Sequence, residues 1–225
     1  MIRLHIIAEG QTEEEFVKTI LAEHLADFNV ITDVHCVTTK RTKTQVHRGG
    51  LGSYQQPKKD TLLWLKQEKG NDVRFTTMLD LYALPNDFPQ FDEGKKISDP
   101  YQKVKKLETA LAEDINDYRF IPYIQLHEFE ALILTDPSKL IDRFPEYDES
   151  VQELVTICKK YDSPELINDG ETTAPSKRII QLIPSYKGAK VSVAPLMVQK
   201  IGLPTIRSQC PHFNEWLIQL ENLNN

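Results

Sequence analysis

Through the first two thirds of this chain, short apolar runs bounded by glycine, proline or polar clusters alternate with stretches of helical periodicity. That alternation restricts the fold to an α/β sheet that is at least partly parallel, because parallel neighbours need a crossover between them. The run from Ile2 to Ala8 reads as a buried strand closed by Gly10. Thr12 and Glu15 then fit a capping box, and Phe16, Ile20, Leu21 and Leu25 recur at helical spacing, which predicts a helix from about Glu13 to Ala26. Val30 to Val37 reads as a second strand, and a helix starts near Thr61 and runs to Gln67. Arg74 to Leu81 is the next strand, stopped by the prolines of "YALPNDFP". "DPYQKVKKLETALAEDI" places Leu107, Leu111 and Ile115 on one helical stripe, and "RFIPYIQLHEFEALIL" reads as a strand that turns into a helix near His127.

The last third is less regular. Helices are expected around Val151 to Lys160, Ser176 to Leu182, Ala194 to Ile201 and Pro211 to Leu223. No repeat or sharp linker divides the 225 residues, so one domain is expected, with its core at about 1–140 and a helical part at about 141–225. No basic leader precedes a long apolar run, and no apolar stretch reaches bilayer length, so a cytoplasmic protein without membrane contact is expected. Three widely spaced cysteines argue against a disulfide framework. Cys210 and His212 lack the second ligand pair that a zinc site needs, and the cysteines read as buried thiols.

The formal charge is −6, which by itself disfavours a polyanionic partner. Its distribution does the opposite. No acid occurs between Val34 and Lys59, where Lys40, Arg41, Lys43, Arg48, Lys58 and Lys59 cluster around the glycine-rich "HRGGLGSY". A second acid-free tract between Thr172 and Asn214 carries Lys177, Arg178, Lys187, Lys190, Lys200 and Arg207. Two such tracts can present a positive face to phosphate.

Acids gather where strands end. Glu9 follows the first strand, Asp80 closes the central one, and Glu128 and Glu130 sit inside the apolar "LHEFEALIL". Ligands of open α/β sheets collect beyond the carboxyl ends of the strands. Converging carboxylates with oxygen-only donors suit Mg²⁺ or Mn²⁺, and the chemistry such a set supports is metal-assisted attack at phosphorus. Glu14 reads as a charge complementing a helix start and Glu15 as the capping-box partner. His127 reads as a structural histidine rather than a ligand. There is no GxxxxGK[ST] loop for ATP, no GxGxxG for a dinucleotide and no GxSxG elbow.

"EGQTEEEF", "LDLYALPNDFP" and "RFIPYIQLHEFEALIL", together with "INDGETTAPSKRI", "PSYKGAK" and "IGLPTIRSQCPHFNEWLIQL", resemble a bacterial family of unknown function in the Toprim superfamily. The likeness spans nearly the whole chain and extends to nucleases of the overcoming-lysogenisation-defect type. It implies a Toprim-like, Rossmann-like sheet with helices on both faces and a metal site of an N-terminal Glu and a DxD motif. Glu9 and Glu13 match the paired glutamates of those nucleases, and Asp80 matches the first acid of DxD. Tyr82 stands where the second acid belongs, and Asp87 could replace it only if its loop folds back. Glu128 or Glu130 would be the later ligand, and Lys187 or Lys177 the assisting lysine. The resemblance thus implies a Mg²⁺- or Mn²⁺-dependent nuclease in which Glu9, Asp80 and Glu128 or Glu130 hold metal. Glu13 would bind a second metal or orient water. The basic residues Lys40, Arg41, Lys43, Arg48, Lys58, Lys59 and Arg178 would hold nucleic acid, DNA before RNA. It further implies an effector subunit, which could form a homodimer, beside a separate AAA or ABC-type ATPase in defence against phage or mobile DNA. Two other readings stay open: a non-catalytic regulatory subunit of such a complex, and a phosphohydrolase of small molecules.

Overall fold

The structure, a computed structural model, describes residues 1–41, 46–48, 51–167 and 173–224. It is an α/β fold whose chain divides into two compact units, residues 1–125 with 218–225 and residues 126–217. The sequence alone suggests a single domain divided near residue 140; the contacts divide it where the last strand ends.

In the first unit, β1 (Ile2–Ala8) leads through Gly10 into α1 (Gln11–Phe16), followed without a break by a π-helical stretch, Val17–Leu21, and α2 (Ala22–Ala26). The helix therefore begins before the expected Glu13, and its capping residue is Gly10 rather than Thr12. The box is closed by Glu13, whose Oε2 accepts the Gly10 N–H at 2.9 Å, and not by Glu15. Thr12 and Glu13 are both buried, so an earlier start places the acid beside the orphan N–H groups of the first turn.

β2 (Val30–Cys36) is followed by an antiparallel hairpin of β3 (Thr38–Arg41) and β4 (Val46–Arg48). α3 (Gln55–Gln67) starts six residues ahead of the expected Thr61, because Asp87 reaches back to its first turn and accepts the Tyr54 N–H at 2.9 Å and the Ser53 hydroxyl at 2.6 Å. β5 (Val73–Asp80), α4 (Phe91–Lys95) and α5 (Pro100–Ile115) follow, the last capped by the Asp99 carboxylate on the Gln102 N–H.

The expected strand through Arg119 to Gln125 is broken into β6 (Phe120–Ile121) and β7 (Ile124–Gln125). Pro122 supplies no N–H to the ladder. Thr77 on β5 fills the gap, its hydroxyl accepting the Tyr123 N–H at 3.0 Å and donating to the Tyr123 carbonyl at 2.9 Å. The strand order is β2-β1-β5-β6 with β7 also on β5, and every pairing in this sheet is parallel. Leu4, Ile6 and Ile7 of β1 have no exposure although successive side chains point to opposite faces, so the central strands are covered on both sides.

The second unit opens with 3₁₀ turns at Phe129–Ala131 and Ile133–Thr135, where the sequence suggests a continuous helix. His127, in the left-handed region at φ 62°, turns the chain just before them. The unit continues with α6 (Asp148–Cys158), α7 (Pro175–Leu182), α8 (Tyr186–Ile201) and α9 (Leu203–Gln209); α10 (Pro211–Glu221) follows. α8 begins eight residues before the expected Ala194 and runs through Pro195. Among the described residues, no helix is long and apolar enough to cross a membrane.

Candidate functional site

In the first unit, parallel pairing of β1 with β5 sets Ala8 opposite Met78, so that Glu9 and Asp80 leave neighbouring strands at the same carboxyl edge. Backbone and side chain lock them together. The Glu9 N–H donates to the Met78 carbonyl at 3.0 Å, and the Asp80 N–H donates to Glu9 Oε2 at 2.9 Å. Both carboxylates are more than nine-tenths buried, at 7% and 8% exposure. Burial holds them in one arrangement and raises the cost of leaving their charge uncompensated.

The neighbouring acids are occupied otherwise. Glu13 fastens the helix start through Gly10. Glu14 pairs with Lys18 at 2.6 Å, the main cause of the raised Lys18 pKa, and accepts from Cys36 Sγ at 3.0 Å. Glu15 is exposed on the helix surface. Tyr82 lies in a 3₁₀ turn, Leu81–Ala83, with 36% exposure. Asp87 does not replace the missing acid: its carboxylate is committed to the start of α3, and the Ser53 hydroxyl is the first cause holding its pKa low.

The later acids lie in the second unit. Glu128 Oε2 accepts the Ser176 N–H at 2.9 Å in the first turn of α7. Glu130 has no exposure; its Oε1 takes the Tyr186 hydroxyl and Lys190 Nζ, each at 3.0 Å, while Oε2 has no hydrogen-bond partner among the described residues. Burial raises its pKa, with Glu128 adding to the rise and Lys190 opposing it. Lys190 is thus the lysine that meets a carboxylate, whereas Lys177 and Lys187 are exposed. The sequence carried a signal for Lys190 in its position one helical turn after Lys187, but nothing there indicated which of the two faced inward.

Of the basic residues, Lys40, Arg41 and Arg48 fall on the hairpin strands, and Lys43 lies outside the described residues. Lys58 is tied to Asp114 at 2.8 Å, so its charge is largely compensated, while Lys59 is exposed. Arg178, in the second unit, lies near Cys158, whose thiol burial pushes up to about 11 against the pull of that charge. No local pattern singles out Glu165, which is wholly buried and accepts the His212 and Phe213 N–H groups at 3.0 and 2.9 Å.

Among the described residues, no three His, Cys, Asp or Glu side chains are grouped to hold a metal ion. Zinc needs three or four such ligands and does not fit. Mg²⁺ keeps several waters and is commonly held by one or two carboxylates together with substrate phosphates. The Glu9 and Asp80 pair meets that smaller demand.

The family described as "Domain of unknown function (DUF4276)" matches residues 8–221. No curated protein and no solved structure gives a match.

Proposed function

The chain belongs to the DUF4276 family, and from the geometry of its own strand ends we propose that it is a Mg²⁺- or Mn²⁺-dependent nuclease acting on phosphodiester bonds. The observation that carries this reading is the pair of buried carboxylates, Glu9 and Asp80, held at the carboxyl edge of adjacent parallel strands by the Asp80 N–H on Glu9 Oε2. Glu9 and Asp80 would hold the ion, which when bound supplies Lewis acidity and a more acidic water. The chain's own contribution is positional. The Asp80 N–H orients Glu9, the β1–β5 register sets the spacing, and Glu13 anchors the turn at Gly10 immediately after Glu9.

Resemblance to Toprim nucleases adds a separate AAA or ABC-type ATPase as partner and defence against phage or mobile DNA as setting. The test is therefore run on single-stranded DNA, duplex DNA and RNA with Mn²⁺, with and without any AAA or ABC-type ATPase found encoded beside it. Cleavage that Glu9→Gln or Asp80→Asn lowers about 100-fold or more supports the reading. No cleavage in any arm refutes it, and cleavage unaffected by either variant refutes the site.

A non-catalytic regulatory subunit is the second reading. Tyr82 at the place of the second DxD acid favours it, as does the want of a three-ligand group among the described residues. Binding of nucleic acid or ATPase without cleavage is its expected outcome.

A further inference from the structure

In the first unit, a cleft of about 330 Å³ opens where α3 faces the edge strand β2, lined by His35, Asp60, Leu63, Trp64 and Gln67. A second groove of similar volume, about 330 Å³, runs along the same helix past Lys59, Leu62 and Lys66 and shares Leu63 with the first. Leu62 and Leu63 are 40% and 47% exposed, an unusual allowance of apolar surface beside so many lysines. Lys59 and Lys66 have no ion-pair partner among the described residues.

The cleft is aromatic at its base. Trp64 packs on His5 with ring centroids 4.4 Å apart and meets His35 edge-on at 5.3 Å. His5 Nδ1 lies 3.6 Å from Asp33 Oδ2, but burial outweighs that charge and lowers the His5 pKa, favouring the neutral ring. Asp60 Oδ1 accepts from Gln56 at 2.9 Å, and its Oδ2 is shut off from solvent, so the carboxylate lines the cleft without offering it an acceptor.

We propose that α3 carries a track for single-stranded nucleic acid, with an unpaired base stacked at Trp64 and flanking phosphates on Lys59 and Lys66. The ligand class rests on the nuclease reading; the choice of single strand over duplex does not. Stacking on an aromatic side chain requires a free base face, which a duplex keeps inside its own stack, and cationic side chains beside such a platform are the usual means of following a single-stranded backbone.

Binding of labelled oligo-dC, oligo-C and oligo-dT, and of oligo-dC annealed to its complement, is measured in EDTA, where cleavage plays no part. The single strands are expected to bind about tenfold or more tightly than the duplex, and Trp64→Leu to weaken them by a similar factor. Lys59→Ala with Lys66→Ala should reduce the salt slope by about 1.4. Should Trp64→Leu fail to fold, Trp216→Phe leaves Trp64 as the one tryptophan, and oligonucleotide should quench it. Duplex binding as tight as single-strand binding, or Trp64 fluorescence unmoved by bound strand, overturns the proposal. A protein that binds strands in EDTA yet cleaves nothing keeps this inference and loses the nuclease reading. Cleavage by a protein whose Trp64 does not respond does the reverse.

Discussion

At the scale of single residues, Glu130 carries the clearest pH dependence. It is wholly buried, and desolvation raises its pKa despite the opposing charge of Lys190. The folded protein therefore keeps this proton to a higher pH than the unfolded chain. Stability from this group is present below the ordinary carboxylate range and is lost as pH rises through the folded value. Glu130→Gln, which cannot ionise, should flatten that loss; urea unfolding midpoints of both proteins between about pH 5 and pH 8 measure it. Equal slopes would show that Glu130 ionises as freely in the fold as outside it. The same residue illustrates what sequence can reveal. A carboxylate inside "LHEFEALIL" announces that it needs a partner, but Tyr186 and Lys190 lie 56 and 60 positions further on, and only folding selects them.

Elements end where their orphan N–H and C=O groups find partners, and in this protein several of those partners are remote. α10 starts at Pro211 because the Glu165 carboxylate, from a 3₁₀ turn at Pro164–Leu166, accepts two N–H groups of its first turn. Glu165→Ala removes both charge-assisted bonds and should cost about 3 kcal/mol in chemical denaturation, with Glu165→Gln intermediate. A loss under about 0.5 kcal/mol would mean that water replaces the cap. α3 likewise gains its early turns from Asp87, far along the chain. Helix centres at α5 and strands β1, β2 and β5 were legible because hydrophobic periodicity is local. The starts of α1, α3 and α8 were not, because a glycine cap, a distant aspartate and a tolerated Pro195 leave no local signature.

For the molecule as a whole, both units have apolar cores and all three cysteines are free thiols, so no disulfide takes part in building the fold. With the ion held by Glu9 and Asp80 as proposed, EDTA should abolish the proposed cleavage while leaving the thermal unfolding midpoint within about 1–2 °C of its value with Mg²⁺. A large fall in the midpoint would make the ion structural. What the sequence by itself determined is the α/β class, strands β1, β2 and β5 and the placement of Glu9 and Asp80 at strand ends, since each follows from period and punctuation over a few residues. Tertiary structure alone decided that β1 and β5 are neighbours, that Glu13 and Asp87 serve helix starts, that Lys58 is neutralised by Asp114, and that Trp64 floors a cleft. Those outcomes depend on which distant groups meet once apolar surface is buried, and no local pattern of residues encodes a meeting between partners so far apart in the chain.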